Sequence, residues 1–137
     1  MALPPFHVFL IPIQHAIPLR TGCSSYVMPR YEPQLFVKAI AEFRISRTVM
    51  VPPILKSLST VALATKDMLK SLRRVYVGGS CAKAEMQQQL REKLPLTARI
   101  EHVYGMTETG WATTTCNDRR RNYSDSVGTP LPGTELR

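Results

Sequence analysis

The chain has 137 residues, carries a formal net charge of +8 and is 44% hydrophobic. This length suits one domain, and a charged fraction of 20% is too ordinary for a disordered chain. The seven glycines show no triplet period, which excludes collagen, and the three cysteines lack CxxC spacing, so neither a disulfide framework nor a zinc site is indicated.

The sequence carries no signal for a membrane or for export. Its longest apolar stretch, residues 8–19, is interrupted by two prolines, a glutamine and a histidine. It is shorter than the roughly 20 apolar residues of a spanning helix. No basic region precedes it, so a secretory signal is not expected. Together with reduced thiols, this predicts a cytoplasmic protein without a membrane partner.

The first half of the chain predicts helices and strands in alternation. A helix is expected over residues 13–20, and Gly22 stops it. Residues 24–28 are typical of a short strand. Pro33 opens a helix whose apolar side chains share one face. Residues 48–51 suit a strand that is buried on both faces.

The second half continues the alternation. A helical stripe covers residues 54–63, and residues 74–78 form the next predicted strand. A helix follows over residues 82–93, and a strand over residues 99–104. Beyond Gly105 the pattern becomes a loop rich in threonine, glycine and arginine.

Strands that alternate with helices predict an α/β fold, with a parallel or mostly parallel sheet and flanking helices. In such sheets, ligands bind beyond the carboxyl ends of the strands. Two predicted strand ends carry glycine-rich or polar turns, at residues 78–80 and 105–108. We therefore expect a ligand beyond these two strand ends.

The turn after the last predicted strand combines several chemical groups. Tyr104 offers an aromatic face that can stack on a base, and Thr107 can donate a hydrogen bond to a phosphate oxygen. Glu108 can hold Mg²⁺, which prefers oxygen ligands. The spacing alone favours a plainer alternative, a strand and a capped turn with Tyr104 in the core and Glu108 in solvent.

Residues 104–110, with the sequence YGMTETG, closely resemble the adenine and Mg²⁺ motif of the adenylate-forming (AMP-binding) superfamily. This superfamily includes acyl-CoA synthetases and 4-coumarate–CoA ligases. Further segments resemble the family's in order and spacing: LPPFH at 3–7, MPRY at 28–31, VPPI at 51–54, SLR and GGS at 71–80, and VGTPLPG at 127–133. The resemblance covers essentially the whole chain.

The resemblance implies a central piece of the family's N-terminal domain. Residues 1–137 would form a partial adenylation domain. Residues 1 to about 115 would form one α/β subdomain, and residues 116–137 would form a loop that leads to the next subdomain.

The resemblance also assigns roles residue by residue. Tyr104 resembles the residue that stacks on adenine, Thr107 the residue that contacts the AMP phosphate, and Glu108 the Mg²⁺ ligand. The other nucleotide-binding positions are Gly78, Gly79, Ser80 and Gly105. The acid-binding positions are His7, His102, Val103 and Trp111. No catalytic residue is assigned within the chain.

Plainer alternatives stay open for these positions. Residues 78–80 suit an ordinary strand-to-helix turn, His7 a polar residue of a first turn, and Trp111 a core position. Three departures from the family pattern also stand out. Cys81 replaces a usual proline, and Pro12 interrupts a helix that is continuous in relatives. His102 and Val103 replace a common Gln-Gly pair, and valine would narrow the tunnel that glycine leaves open.

The implied activity is that of an ATP-dependent acid–thiol ligase. A carboxylic acid and ATP give acyl-AMP and pyrophosphate, and CoA then takes the acyl group. The family's phosphate loop lies before the segment at residues 3–7, and its ribose-binding TGD motif and catalytic lysine lie beyond Arg137. We therefore expect a fragment of an acyl-CoA ligase-like enzyme that is inactive as an isolated chain.

A non-enzymatic alternative is a small basic module whose arginines meet an anionic partner. These arginines are Arg119, Arg120 and Arg121. No helix-turn-helix, zinc-finger or RRM pattern accompanies them, so we do not expect a nucleic-acid partner.

The first prediction concerns activity. The 137-residue chain should not exchange labelled pyrophosphate into ATP with any carboxylic acid. The phosphate loop and the lysine supply electrostatic stabilisation, which is usually the largest contribution to such a rate. Acid-dependent exchange by the purified chain, above a blank without protein, would contradict the expectation.

Overall fold

The computed structural model describes residues 2–115 and 126–136. Five strands form one sheet: β1 (Arg47–Met50), β2 (Arg74–Val77), β3 (Arg99–Met106), β4 (Gly110–Thr114) and β5 (Thr129–Pro130). The α-helices are α1 (Ile17–Thr21), α2 (Pro33–Glu42), α3 (Pro52–Thr60) and α4 (Ala84–Lys93). None of the helices in this described part is long and apolar enough to cross a lipid bilayer.

The sheet is mixed, with the strand order β1-β2-β3-β4-β5. The pairs β1–β2 and β2–β3 are parallel, whereas β3–β4 and β4–β5 are antiparallel. Helices α3 and α4 belong to the connections between the parallel strands. The predicted α/β fold with flanking helices is therefore confirmed, and the antiparallel part extends the sheet beyond β3.

Two segments differ from the sequence-based predictions. Residues 24–28 form no strand. A groove separates residues 23–26 from the start of β1, so they do not pair with that strand. Tyr26 instead stacks on Phe43, with ring centroids 4.6 Å apart. The segment after Gly105 is not all loop, because its threonine-rich part forms β4. The β-branched threonines of that part favour a strand and were the signal for β4 in the sequence.

The N-terminal helix is less regular than predicted. Residues Ile11–Ala16 form a π-helical turn in which the Ile17 N–H donates to the carbonyl of Pro12, and α1 follows directly. Pro18 has no N–H to donate, and the π turn lies just before it. Gly22 ends α1 with a φ of 68°, as predicted.

The two faces of the sheet carry two apolar cores. On one face, Met50, Val75 and Val77 pack with buried side chains of α2, α3 and α4. On the other face, Val49, Tyr76 and Val103 pack under an N-terminal group that consists of Phe9, Leu10 and Ile13. The strand centres are therefore covered on both sides, as the apolar sequence of β1 predicted for that strand.

The N-terminal segment lies against Gly78, directly after β2. A methyl group at this position would lie 2.8 Å from the carbonyl oxygen of Val103 and 3.0 Å from the ring of Phe9. Glycine is therefore required by space at this point, and Phe9 sits directly on the turn.

The second prediction follows from this packing. Replacing Gly78 with alanine should lower the free energy of unfolding by about 1–3 kcal/mol, because the added methyl group overpacks the turn. Urea denaturation followed by circular dichroism measures the change. Ser80→Ala is the control at an exposed position of the same turn and should stay within about 0.5 kcal/mol. Equal stability of the two variants would contradict the packing argument.

Candidate functional site

Two cavities lie at the carboxyl ends of β2 and β3. The first has a volume of about 300 Å³ and includes Ser80, His102 and Tyr104 among its walls. The second has a volume of about 210 Å³ and includes His7 and Trp111. Both cavities share three wall residues: Gly79, Val103 and Gly105. The two strand-end turns thus meet in one place.

Tyr104 presents its side chain to the first cavity. The residue is 45% exposed, whereas its neighbour Val103 is buried against the N-terminal segment. This difference follows from the alternation of side chains along β3. The alternative that placed Tyr104 in the core is therefore wrong, and an aromatic face is accessible to a ligand.

Thr107 and Glu108 lie at the tip of the hairpin that joins β3 to β4. The hairpin is tight, because a methyl group at Gly105 would overlap the carbonyl oxygen of Gly110. The Thr109 N–H donates to the carbonyl of Met106 and closes the turn, with an N···O distance of 3.1 Å. Both side chains at the tip are exposed and line the second cavity.

Glu108 is the candidate metal ligand in this site. Within residues 2–115 and 126–136, no cluster of three or more His, Cys, Asp or Glu residues could hold a metal ion. A single carboxylate suits Mg²⁺ when phosphate oxygens of a substrate supply the other ligands. The donor set therefore fits a cation that arrives with a nucleotide.

His102 lines the first cavity, together with Tyr104, rather than the second one with His7 and Trp111. Its main chain is held by Thr115, whose hydroxyl accepts from the His102 N–H at 2.8 Å and whose N–H donates to the His102 carbonyl at 3.0 Å. The ring atom Nε2 is buried and has no hydrogen-bond partner among the described residues.

The environment of His102 favours the neutral ring. Burial lowers the pKa of His102 below its usual range, and the positive charge of Arg91 lowers this pKa further. A neutral imidazole can either donate or accept a hydrogen bond at Nε2, depending on its tautomer. His102 thus adds a neutral ring to the wall of the first cavity, with its Nε2 atom buried beneath the surface.

Trp111 fastens the N-terminal segment to the sheet. Its indole N–H donates to the carbonyl of Phe9 at 3.0 Å, and its ring centroid lies 5.8 Å from that of Phe9 and 5.6 Å from that of Tyr76. The residue is half-buried and also lines the second cavity. Trp111 therefore combines the structural role that its residue type suggested with a place in the cavity wall.

His7 is exposed at the second cavity, where its Nδ1 accepts a hydrogen bond from the Phe9 N–H at 3.2 Å. Gly78 lines neither cavity, because it is buried beneath Phe9. The predicted site residues are thus divided between the two cavities, with Gly78 behind them. The arginines at 119–121 lie outside the described residues.

Some cavity residues were given no role in the site from the sequence. Phe9 and Met106 line the second cavity, and Ser126 and Val127 line the first. Phe9 and Met106 carry no chemical signal of their own, since apolar side chains are common on both cavity walls and cores. Cys81, noted as a departure, has an exposed thiol in the wall of the first cavity.

A protein-family model described as "AMP-binding enzyme" matches residues 1–137. Among characterised relatives, the chain is 35% identical to the nicotinic acid-CoA ligase pyr1 of Aspergillus fumigatus, over 100% of this chain and 23% of the relative. It is 30% identical to the acyl-CoA synthetase ACTT5 of Alternaria alternata, over 98% of this chain and 23% of the relative. It is also 30% identical to 4-coumarate–CoA ligase 2 of Oryza sativa, over 98% of this chain and 24% of the relative.

Solved structures give the same result. The fold matches that of apo MatB from Rhodopseudomonas palustris with a TM-score of 0.83 and 25% identity, over 96% of this chain and 25% of that chain. The ATP-bound form of the same protein matches with a TM-score of 0.81 at the same identity and coverage. The chain therefore spans about a quarter of the length of the relatives it matches.

The third prediction tests the role of Trp111 as a fastener. Trp111→Phe keeps an aromatic ring but removes the donor to the Phe9 carbonyl, so the free energy of unfolding should fall by about 1 kcal/mol. Urea denaturation followed by circular dichroism gives this value. Phe6→Ala, at a position that is 83% exposed, is the aromatic control and should change stability little. Unchanged stability of Trp111→Phe would show that the hydrogen bond does not hold the segment.

Proposed function

Because the chain belongs to the AMP-binding enzyme family, we propose that it forms the adenine-binding and acid-binding part of an acyl-CoA ligase. The observation that carries this proposal is the pair of cavities that share Gly79, Val103 and Gly105 as a common wall. A ligase of this kind must hold a nucleotide and an acid side by side, and two adjoining cavities meet that requirement.

The proposed reaction has two steps. A carboxylate oxygen attacks the α-phosphorus of ATP, so that pyrophosphate leaves and acyl-AMP forms. The thiol sulfur of CoA then attacks the acyl carbon, and AMP leaves. The relatives named above support this chemistry, since they are acyl-CoA synthetases and CoA ligases.

The first cavity is the proposed site for adenine. Its volume of about 300 Å³ lies at the lower end of the range for small-molecule sites, as a single ring system requires. Tyr104 would stack on the base, and the Gly79–Ser80 backbone would form the opposite wall.

The hairpin tip is the proposed site for phosphate and Mg²⁺. Thr107 would donate its hydroxyl to a phosphate oxygen, and Glu108 would hold Mg²⁺ jointly with the nucleotide. The cation would supply positive charge against the phosphates. The protein would position these groups, because the tight β3–β4 turn holds the Thr107 hydroxyl and the Glu108 carboxylate on adjacent residues.

The second cavity is the proposed site for the carboxylic acid. Its walls include the apolar side chains of Val8, Phe9 and Val103, and His7 lies at the same cavity. Val103 fills space there that a glycine would leave open. A volume of about 210 Å³ favours a compact acid over a long acyl chain.

The proposal places the protein in the cytoplasm, where ATP and CoA are both available. The free thiols of Cys23 and Cys81 are compatible with a reducing compartment. No comparison supports the alternative of a small basic binding module, because the matched family covers residues 1–137.

The fourth prediction concerns binding of AMP to the 137-residue chain. The affinity should be no better than about millimolar, because ordering of the ligand offsets much of the stacking energy. Tyr104→Ala should weaken this binding at least about fivefold, since stacking on an aromatic ring contributes about 1–3 kcal/mol. Titration followed by the amide NMR signals of Ser80 and Gly105 measures both affinities.

Tyr104→Phe is the matched control, because it keeps the ring and loses only the hydroxyl. It should bind AMP nearly as well as the original chain. If Tyr104→Ala binds AMP with unchanged affinity, the first cavity is not the adenine site and the proposed function loses its main support.

A further inference from the structure

The amino ends of the parallel strands carry a third cavity, a groove of about 510 Å³. It shares no lining residue with the two cavities described above. Helix α1 and residues 23–26 form one side of the groove, and residues 43–47 form the other. The groove is therefore separate from the proposed nucleotide and acid sites.

A row of three arginines lies along the amino ends of the parallel strands, and the first of them, Arg47, lines this groove. Strands β1, β2 and β3 begin with Arg47, Arg74 and Arg99, and strand pairing places these residues directly beside one another. They lie on the same sheet face as Tyr76, which lines the groove. Glu101 lies near Arg74, with 3.8 Å between Oε1 and Nε.

None of the described residues that line the groove is acidic. Neither Arg44 nor Arg47, the two arginines that line the groove itself, forms an ion pair in that described part of the chain. Positive charge therefore exceeds negative charge at this end of the sheet.

Arg44 occupies a position where glycine is the usual residue. It follows α2 with a φ of 48°, in the left-handed region. The Ile45 N–H donates to the Ile40 carbonyl at 3.0 Å, and the Arg44 N–H donates to the Ala41 carbonyl at 3.4 Å. This hydrogen-bond pattern is a helix C-terminal cap, in which glycine avoids the steric cost that other residues bear.

The arginine at this strained position faces the groove. Residues in strained backbone conformations are concentrated at functional sites, where a side chain is needed despite its cost. The strain at Arg44 therefore points to a role for its guanidinium group. This observation is independent of the groove's volume and of the strand register.

The remainder of the groove is partly apolar. Tyr26 and Phe43 stack on one another at an interplanar angle of 19°, and Ile13 and Ile17 lie in the same walls. The hydroxyls of Ser24, Ser25 and Ser46 also line it. The groove thus combines cationic groups and hydroxyls with apolar side chains.

We propose that this groove binds a small organic anion, with its carboxylate or phosphate head on Arg44 and Arg47 and its apolar body against Tyr26 and Ile17. Guanidinium groups pair with both kinds of head through two parallel hydrogen bonds. Apolar walls with a few placed polar groups are the usual composition of a small-molecule site.

The test uses the isotope-labelled 137-residue chain and four probes. Benzoate and phenyl phosphate carry the two kinds of head, benzamide is the neutral analogue of benzoate, and inorganic phosphate lacks the apolar body. Benzoate or phenyl phosphate should shift the amide signals of Ser24, Tyr26 and Ser46, and the tighter of the two identifies the head. Benzamide and inorganic phosphate should each bind about tenfold more weakly than that probe.

Two variants make the test specific to the groove. Arg47→Gln should weaken binding of the tighter probe about tenfold. Lys56→Gln removes the same charge from α3, on the other face of the sheet, and should leave the affinity unchanged. Arg44→Gly should weaken binding and also raise the melting temperature by about 3 °C, because it relieves the left-handed strain.

A loss of affinity in a variant of higher melting temperature cannot be caused by misfolding. The proposal is overturned if benzamide binds as tightly as benzoate and phenyl phosphate, or if Arg47→Gln binds the probe as well as the original chain does. It is also overturned if the signals of Ser24, Tyr26 and Ser46 stay unchanged with every probe.

Discussion

The arrangement of the proposed site depends on the contact of Phe9 with Gly78. The absence of a side chain at Gly78 lets the Phe9 ring lie on the turn after β2, and the carbonyl of Val103 approaches the same point from β3. Trp111 holds the carbonyl of Phe9 from β4. The N-terminal segment therefore closes over two strand ends at once, and His7 reaches the second cavity through this closure.

The parts of the fold that depend on local patterns could be predicted from the sequence. The apolar runs of β1 and β2 and the glycine-rich turn after β2 were recognisable, and YGMTETG marked the turn at the end of β3. The parts that depend on distant partners could not be predicted. One of these parts is the position of His102 at the first cavity, where Thr115, directly after β4, holds its main chain, whereas β4 carried a local signal in its β-branched Thr113 and Thr114. The arginine row beside the third cavity depends on the register between three strands, and the sequence of one strand does not define that register.

The departures from the family pattern are concentrated in the cavity walls. Cys81 and His102 line the first cavity, and Val103 belongs to both. Because a shared wall residue contacts both cavities, a change of its size alters both volumes together. In the proposed function, Val103 would therefore couple the choice of acid to the fit of the nucleotide.

The mixed sheet has a consequence for the order in which its parts can assemble. Only residues 107–109 separate β3 from β4, whereas residues 51–73 separate β1 from β2 and residues 78–98 separate β2 from β3. Loop closure costs less chain entropy when the loop is short, and contacts between near neighbours form faster. The hairpin that carries Tyr104, Thr107 and Glu108 is thus the strand pairing with the lowest closure cost in the described sheet. The arginine row, in contrast, exists only after both long crossovers have closed.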